Sequence, residues 1–190
     1  MKIAVYLSSH DHLAPEYTAA AETLGSWMGR NGHTLVYGGA RKGLMETLAQ
    51  AVRRSGGSVY GVVPQLLIDR RLVSTAIDVQ FPVADLADRK RVMVQQSDVA
   101  VALPGGIGTL DEVFSELSAN TIGQQARQVV LCNVGGVWDS LIATLRDLQS
   151  RHLAYCGSRI GLVVTDSAEQ LCQTLAELAT DSAEERSAAH

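Results

Sequence analysis

The stretch DVAVALPGGIGTLDEVFSEL, residues 98–117, carries the clearest structural signal in the chain. Its first seven residues form an apolar run typical of a strand that is covered on both faces. Its second half has the residue spacing of an amphipathic helix. Gly105, Gly106 and Gly108 lie between the two halves. A strand that passes through a glycine turn into a helix is the building unit of parallel α/β folds.

The same alternation continues along the whole chain. Strands are predicted over 2–8, 33–39, 58–64, 76–81, 98–104, 127–134 and 159–165. Helices are predicted over 14–32, 43–57, 84–97, 109–123, 137–152 and 167–179. The stretch 65–74 reads as a short helix or a flap. This pattern predicts a doubly wound α/β fold with a mostly parallel sheet of about seven strands and helices on both faces.

Length and composition set limits on organisation and partners. A chain of 190 residues with 46% hydrophobic and 19% charged residues suits one globular domain, which we place at 1–180, with a disordered polar tail over 181–190. No apolar run is long enough for a membrane helix, so a cytoplasmic protein without a membrane partner is expected. A net charge of -4 argues against a broad surface for nucleic acid, but it leaves room for a small anionic ligand.

The cysteines and one histidine pair give no metal or redox motif. Cys132, Cys156 and Cys172 are widely spaced, which predicts reduced and mostly buried thiols. His10 and His12 form an H-x-H pair, but no further ligand cluster accompanies them. We therefore interpret the two histidines as loop residues after the first strand and expect no bound metal.

Two familiar phosphate-binding motifs are incomplete here. Gly38 and Gly43 have the spacing of the outer glycines of a Walker loop, but Leu44 stands where that loop requires lysine. The turn at Gly106 begins like GxGxxG, but Asp111 replaces the third glycine. Triphosphate chemistry is therefore disfavoured, and a dinucleotide site has little support.

The glycine turn itself still suits an anion. Gly105, Gly106 and Gly108 let backbone amides approach a ligand closely, and Thr109 adds a hydroxyl donor. A helix N-terminus presents unpaired amides and a partial positive charge that suit one phosphate group. The simpler interpretation is a tight turn with Thr109 as the N-cap. The glycine cluster at the carboxyl edge of the sheet makes us favour phosphate binding.

Neighbouring loops at this edge supply further candidates. Gly39 ends the second predicted strand and Ser9 follows the first, so both are predicted to help bind the ligand. Function in such sheets concentrates where the strands end, because parallel strands bring their carboxyl ends to one edge.

Glu112 and the basic pair Arg89-Lys90 each have two interpretations. Thr109 and Glu112 have the spacing of a capping box, which by itself explains both residues. Alternatively, Glu112 faces the ligand from the first helical turn. Arg89 and Lys90 lie one turn into the preceding helix, where they form either an exposed basic face or a grip on phosphate. A cation near Glu112 is expected to keep that carboxylate ionised at neutral pH.

The run from Arg89-Lys90 to Glu112 resembles the LONELY GUY (LOG) family of cytokinin-activating phosphoribohydrolases. The family signature PGGxGTxxE matches residues 104–112, with the Arg-Lys pair upstream. The similarity extends from about Ile3 to about Leu178. Supporting matches are the motifs at 37–39, 43–45 and 61–64.

The resemblance implies a Rossmann-like domain that forms a homodimer or a larger assembly. It implies hydrolysis of the N-glycosidic bond of an N6-modified adenosine 5′-monophosphate to the free base and ribose 5-phosphate, with no cofactor. Matching positions make Arg89 and Glu112 the catalytic pair. The phosphate would be held by Gly105, Gly106, Gly108 and Thr109, with Lys90 beside them.

This chain departs from the family pattern near the expected base pocket, while its phosphate and catalytic positions are kept. The departures are Ala40 and Glu46 for glycines, Leu86-Ala87 for Met-His, Ala119 to Gly123 for Trp-x-Gln-Leu-Gly, and Arg71 for a glutamate. The resemblance therefore supports the reaction type more strongly than cytokinin specificity. The alternative function is a non-catalytic carrier of a nucleotide or of a molybdenum cofactor. Lysine decarboxylation is disfavoured because the chain has no evident lysine motif for pyridoxal phosphate.

Overall fold

The computed structural model describes residues 1–124, 127–155 and 157–188, with side chains up to Asp181. In this part of the chain, seven strands form one sheet in the order β4-β3-β2-β1-β5-β6-β7, and every neighbouring pair is parallel. The strands are β1 (Lys2–Tyr6), β2 (Thr34–Tyr37), β3 (Ser58–Pro64), β4 (Val79–Val83), β5 (Val99–Ala102), β6 (Val129–Cys132) and β7 (Leu162–Thr165). The predicted fold class is confirmed.

Helices connect the strands and cover both faces of the sheet. They are α1 (Pro15–Arg30), α2 (Gly43–Arg54), α3 (Gln65–Asp69), α4 (Leu86–Gln95), α5 (Ile107–Thr121), α6 (Asp139–Ser150) and α7 (Ala168–Ala188). Short 3₁₀ turns occupy Val134–Gly136 and Gly157–Ile160. The undecided stretch after β3 therefore contains a helix.

Two hydrophobic layers follow from the alternation of side chains along the strands. Ile3 and Val5 of β1 point to one layer, and Ala4 and Tyr6 point to the other. Apolar residues of α1, α2 and α7 fill the first layer. Apolar residues of α4, α5 and α6 fill the second layer. Because both faces of the sheet are covered at its centre, β5 and β6 are apolar and buried throughout, as the sequence indicated.

The strand order reverses its direction between β1 and β5. The backbone amide of Ser8, after β1, donates to the carbonyl of Pro104, after β5, at 3.1 Å. This hydrogen bond holds the two loops side by side at the carboxyl edge. Such a switch point is where doubly wound sheets place their ligands.

Several boundaries differ from the predicted ones. Strand β4 begins at Val79 because the Asp78 carboxylate accepts the amide of Val59 and the guanidinium of Arg53, which ties the preceding residues to β3 and α2. Helix α7 continues to Ala188, past the predicted end at 179. The disordered tail over 181–190 stays a prediction. Cys132 and Cys172 are buried free thiols, and Cys156 lies outside the described residues.

Candidate functional site

The glycine turn after β5 begins helix α5 two residues earlier than predicted. Gly106 is the N-cap and Ile107 is the first helical residue. Thr109 is thus the third residue of the helix, and its buried side chain lies against Gly105, where a Cβ atom would come within 2.1 Å of Thr109 Oγ1. The simpler interpretation, with Thr109 as the N-cap, is therefore wrong. The absence of a side chain at Gly105 is what lets the helix fold back over the turn.

The interpretation of Thr109 and Glu112 as a capping box is wrong for the same reason. Glu112 is the sixth residue of α5, beyond the first turn, and the cap carries no side-chain hydrogen bond. Its side chain is only 7% exposed and points away from solvent. A buried carboxyl needs a partner to offset its desolvation, and it finds that partner on another helix.

Arg89 supplies that partner from α4. Helix α4 begins after Asp85, whose carboxylate accepts the amide of Asp88 at 2.8 Å, and Arg89 follows as the fourth helical residue. Arg89 Nη2 lies 2.5 Å from Glu112 Oε1, and the two side chains are 16% and 7% exposed. The structure thus joins the two residues that the resemblance named as a catalytic pair.

Gly38 makes room for this ion pair. A Cβ atom at Gly38 would lie 2.6 Å from Arg89 Nη2 and 2.9 Å from the terminal methyl of Met45. Sequence reasoning named Gly39 as a site residue and did not give Gly38 this role. The available sequence signal for this role was the pair of glycines, Gly38 and Gly39, that follows β2.

The pKa of Glu112 is higher than the neighbouring cation alone would give. Burial raises the pKa of Glu112 to about 7, although Arg89 and then Lys90 act to lower it. The cation predicted beside Glu112 is present, but it does not outweigh desolvation. From pH 4.5 up to about 7 the folded protein holds a proton here that the unfolded chain has released. The contribution of this group to stability therefore decreases as the pH rises through that window.

Lys90 contacts α5 on the outer side of the ion pair. Its ammonium lies 2.7 Å from an Asp111 carboxylate oxygen and 3.0 Å from the hydroxyl of Ser115. The structure therefore brings Lys90 next to Glu112, and its contacts are with α5 side chains at the rim of the site.

The two remaining predicted site residues are Gly39 and Ser9. Gly39 has a φ of +76°, which favours glycine, and its carbonyl accepts the amide of Ser74 at 2.9 Å. Ser9 is exposed and packs beside Gly43. Its neighbour Ser8 is buried and faces the glycine turn.

A cavity of about 210 Å³ opens beside the glycine turn. Among its lining residues are Ser8, His10, Leu13, Tyr17, Gly105 and Gly106. Sequence reasoning did not assign a ligand contact to Ser8, His10 or Tyr17. For Ser8 and His10 the available signal was their place in the loop after β1, which lies at the switch point, and Tyr17 lies in the first turn of α1, directly after that loop.

The described residues also bear on two other kinds of function, metal binding and membrane insertion. In the described ranges, no three His, Cys, Asp or Glu side chains gather as a metal-binding group. None of the described helices is both long and apolar enough to span a membrane.

The fold and the site together define a class of protein: a Rossmann-like α/β domain with a glycine turn and a buried Arg–Glu pair at its switch point. The model of the family described as "Possible lysine decarboxylase" matches residues 45–175. The cytokinin riboside 5′-monophosphate phosphoribohydrolase LOG7 of Arabidopsis thaliana is 34% identical over 176 residues, 93% of this chain and 81% of that protein. LOG4 of the same plant is 32% identical over 93% of this chain and 82% of its own length. The chain belongs to this LOG family.

Solved structures agree on the fold. The molybdenum cofactor binding protein of Rippkaea orientalis superposes with a TM-score of 0.72 at 24% identity, covering 94% of this chain and 96% of that chain. The molybdenum cofactor carrier protein of Chlamydomonas reinhardtii gives a TM-score of 0.71 at 21% identity, over 94% and 98% of the two chains. At this level of identity the likeness shows a shared architecture.

Proposed function

We propose that this protein hydrolyses the N-glycosidic bond of a nucleoside 5′-monophosphate, releasing the free base and ribose 5-phosphate. The bond between C1′ and the base nitrogen breaks, its electron pair leaves with the base, and a water oxygen bonds C1′. Overall, one proton of the water ends on the base nitrogen and the other stays on the new C1′ hydroxyl. The observation that carries this proposal is the buried Arg89–Glu112 pair beside a glycine turn that opens a helix.

The 5′-phosphate would bind at the first turn of α5. Gly106 and Gly108 leave open space there, since a Cβ atom built at either position meets nothing within 4 Å. The free amides and the partial positive charge of the helix suit a phosphate dianion. Anchoring the phosphate holds C1′ in place, so binding energy far from the broken bond assists the reaction.

Glu112 and Arg89 would act on the sugar. Glycoside hydrolysis passes through an oxocarbenium-like ribose, which an adjacent carboxylate stabilises. Among the described residues, Arg89 Nε is a buried donor without a hydrogen-bond partner, and we assign it to a substrate oxygen. The protein needs no cofactor for this chemistry.

The decisive experiment compares two nucleotides. Purified protein is incubated with AMP or with isopentenyl-AMP, and free adenine or isopentenyladenine is followed by chromatography. Release of either base supports the hydrolase, and the ratio of the two rates measures cytokinin specificity. Nucleotide binding without base release would instead support the carrier function. The ratio of the two rates also decides whether the protein has a role in cytokinin activation. The cytoplasmic location stays a prediction.

A pair of alanine variants tests the phosphate site. Gly108→Ala places a methyl group in open space within a helix, so it should leave stability unchanged or raise it by about 0.5–1 kcal/mol. If phosphate binds here, the same methyl group obstructs it, and KM should rise at least about tenfold, equivalent to about 1.4 kcal/mol. The measurements are thermal unfolding and steady-state kinetics.

Gly105→Ala is the matched comparison, because its methyl group collides with the Thr109 side chain. It should lower the melting temperature as well as nucleotide affinity. A Gly108→Ala enzyme with wild-type KM would place the phosphate elsewhere.

We further propose that the protein forms a homodimer through its α5–α6 groove. The groove has a volume of about 940 Å³ and is lined by apolar side chains from α5, α6 and the segment that follows α6. Phe114, Ile122, Leu153 and Tyr155 line it and remain 45%, 75%, 72% and 46% exposed. A continuous apolar surface of this kind is typical of a protein interface.

A charged residue in the groove should disrupt the dimer. Phe114→Glu places a carboxylate on the apolar surface, and its desolvation would oppose association. Light scattering coupled to size-exclusion chromatography should give a dimer for the wild type and a monomer for the variant. Ala176→Glu on α7, which packs on the other face of the sheet, is the control and should stay dimeric. A monomeric wild type would contradict the proposal.

A further inference from the structure

A second buried carboxyl lies directly behind the candidate catalytic one. Glu116 follows Glu112 by one helical turn on α5 and is 1% exposed. The hydroxyl of Tyr6, at the end of β1, donates to Glu116 Oε1 at 2.7 Å. Arg127 Nη1 donates to the same oxygen at 3.4 Å. Three elements therefore converge on one buried negative charge.

Arg127 connects this charge to the helix that carries Arg89. Its Nη1 donates to the Ser97 hydroxyl at 2.8 Å, and its Nη2 donates to the carbonyl of Val94 near the end of α4. The backbone amide of Arg127 also donates to Asn120 Oδ1 on α5 at 3.1 Å. Arg127 thus holds the end of α4 against the middle of α5, and these are the two helices that position the ion pair.

Glu116 lies close enough to influence Glu112. Residues four apart on a helix share a face, with Cβ atoms about 5–6 Å apart. Both side chains are buried, so water screens their charges poorly. Tyr6 responds to both of them: burial first, then Glu116 and also Glu112 raise the pKa of its hydroxyl well above the usual range.

We propose that Glu116, held by Tyr6 and Arg127, is a positioning residue whose negative charge sets the protonation state of Glu112. The proposal deepens the hydrolase function and rests on it for its catalytic meaning. Arg89 and Lys90 from α4 and Asp111 from α5 act on the pKa of Glu112, and the adjoining network contributes Glu116, Tyr6 and Arg127, with Tyr6 responding to both carboxyl groups. Glu116 is the buried negative member of this set.

The test is the titration of Glu112 in Glu116→Gln. Glutamine keeps an oxygen that accepts from Tyr6 and Arg127, so the network can remain while its negative charge is removed. Arg127 is then a buried cation without a counter-charge. The midpoint of Glu112, followed by the ¹³C signal of its carboxyl carbon, should fall by about one pH unit. A midpoint that is unchanged or raised would overturn the proposal.

Two further variants separate charge from structure. Tyr6→Phe breaks a bond in the same network but keeps the charge of Glu116, so it should lower the melting temperature without lowering the midpoint of Glu112. If Glu116→Gln does not fold, Arg127→Gln provides the opposite test, because removing the cation should raise the midpoint. A purely structural network would leave the midpoint of Glu112 unchanged in all three variants.

Kinetics then connect the titration to the reaction. In Glu116→Gln the limb of the pH–rate profile that reports Glu112 should move to lower pH by the same amount. A shifted NMR midpoint in a protein that releases no base would support the coupling and reject the hydrolase function. Base release with an unshifted midpoint would support the hydrolase function and reject the coupling.

Discussion

Glu112→Gln should reduce base release from a nucleoside 5′-monophosphate by about a hundredfold to a thousandfold while the protein stays folded. The glutamine side chain has the same shape, and its oxygen can still accept a hydrogen bond from Arg89. It carries no charge for the developing sugar cation and no titrating proton. A preorganised charge of this kind is worth about 3 kcal/mol of barrier, which corresponds to the expected loss in kcat.

Stability provides the internal control for this variant. Burial raises the pKa of Glu112 to about 7, so above that pH the wild type must hold a buried negative charge. The neutral glutamine removes the cost of burying this charge, so the variant should be at least as stable as the wild type at alkaline pH. Asp111→Asn, at an exposed carboxylate next in sequence, should remain within about threefold of wild-type activity, because exposed ion pairs contribute little. Wild-type turnover by Glu112→Gln would remove Glu112 from the catalytic role.

Glu112→Gln is expected to stay folded for a different reason from the one that the sequence suggested. Thr109 and Glu112 match the spacing of a capping box, and a glutamine would serve equally in such a box. The structure begins α5 at Ile107, so the motif falls inside the helix. A local pattern could not reveal this, because the start of the helix depends on Gly105 accommodating the Thr109 side chain.

Much of the fold could be predicted from the sequence because the patterns that indicate its strands and helices are local. Apolar runs, glycine stops and helical spacing predicted the alternation of strands and helices, and the handedness of parallel connections then limits the topology. The edge that carries the site followed from strand direction alone. Arg89 and Glu112 came from a family motif, and the structure brings them together from two different helices.

The remaining features depend on contacts between distant residues. Gly38 makes room for Arg89, and Tyr6 bonds Glu116 across 110 positions of the chain. The raised pKa of Glu112 was not predicted, because charge proximity can be inferred from a motif, whereas burial depends on packing. Sequence patterns therefore predicted which residues the candidate site brings together better than they predicted its electrostatics.

Arg89→Met should produce a loss of base release comparable to that of Glu112→Gln, but for a different reason. Methionine fills the space of the arginine stem and cannot donate to Glu112 Oε1. Without this cation the pKa of Glu112 should rise further above about 7, because burial then acts almost unopposed. The carboxyl would be protonated at neutral pH, and the rate should fall by at least about a hundredfold.

The pH dependence distinguishes this loss from simple unfolding. If the ionised carboxylate is the active form, Arg89→Met should recover part of its activity as the pH is raised, because Glu112 then loses its proton. Arg91→Met is the matched control, since Arg91 is an exposed arginine on the same helix that pairs with Asp88. It should keep activity within about threefold of the wild type, as exposed ion pairs contribute little. An Arg89→Met enzyme as active as the Arg91→Met control would show that the buried ion pair is structural, and the assignment of the catalytic pair would have to be abandoned.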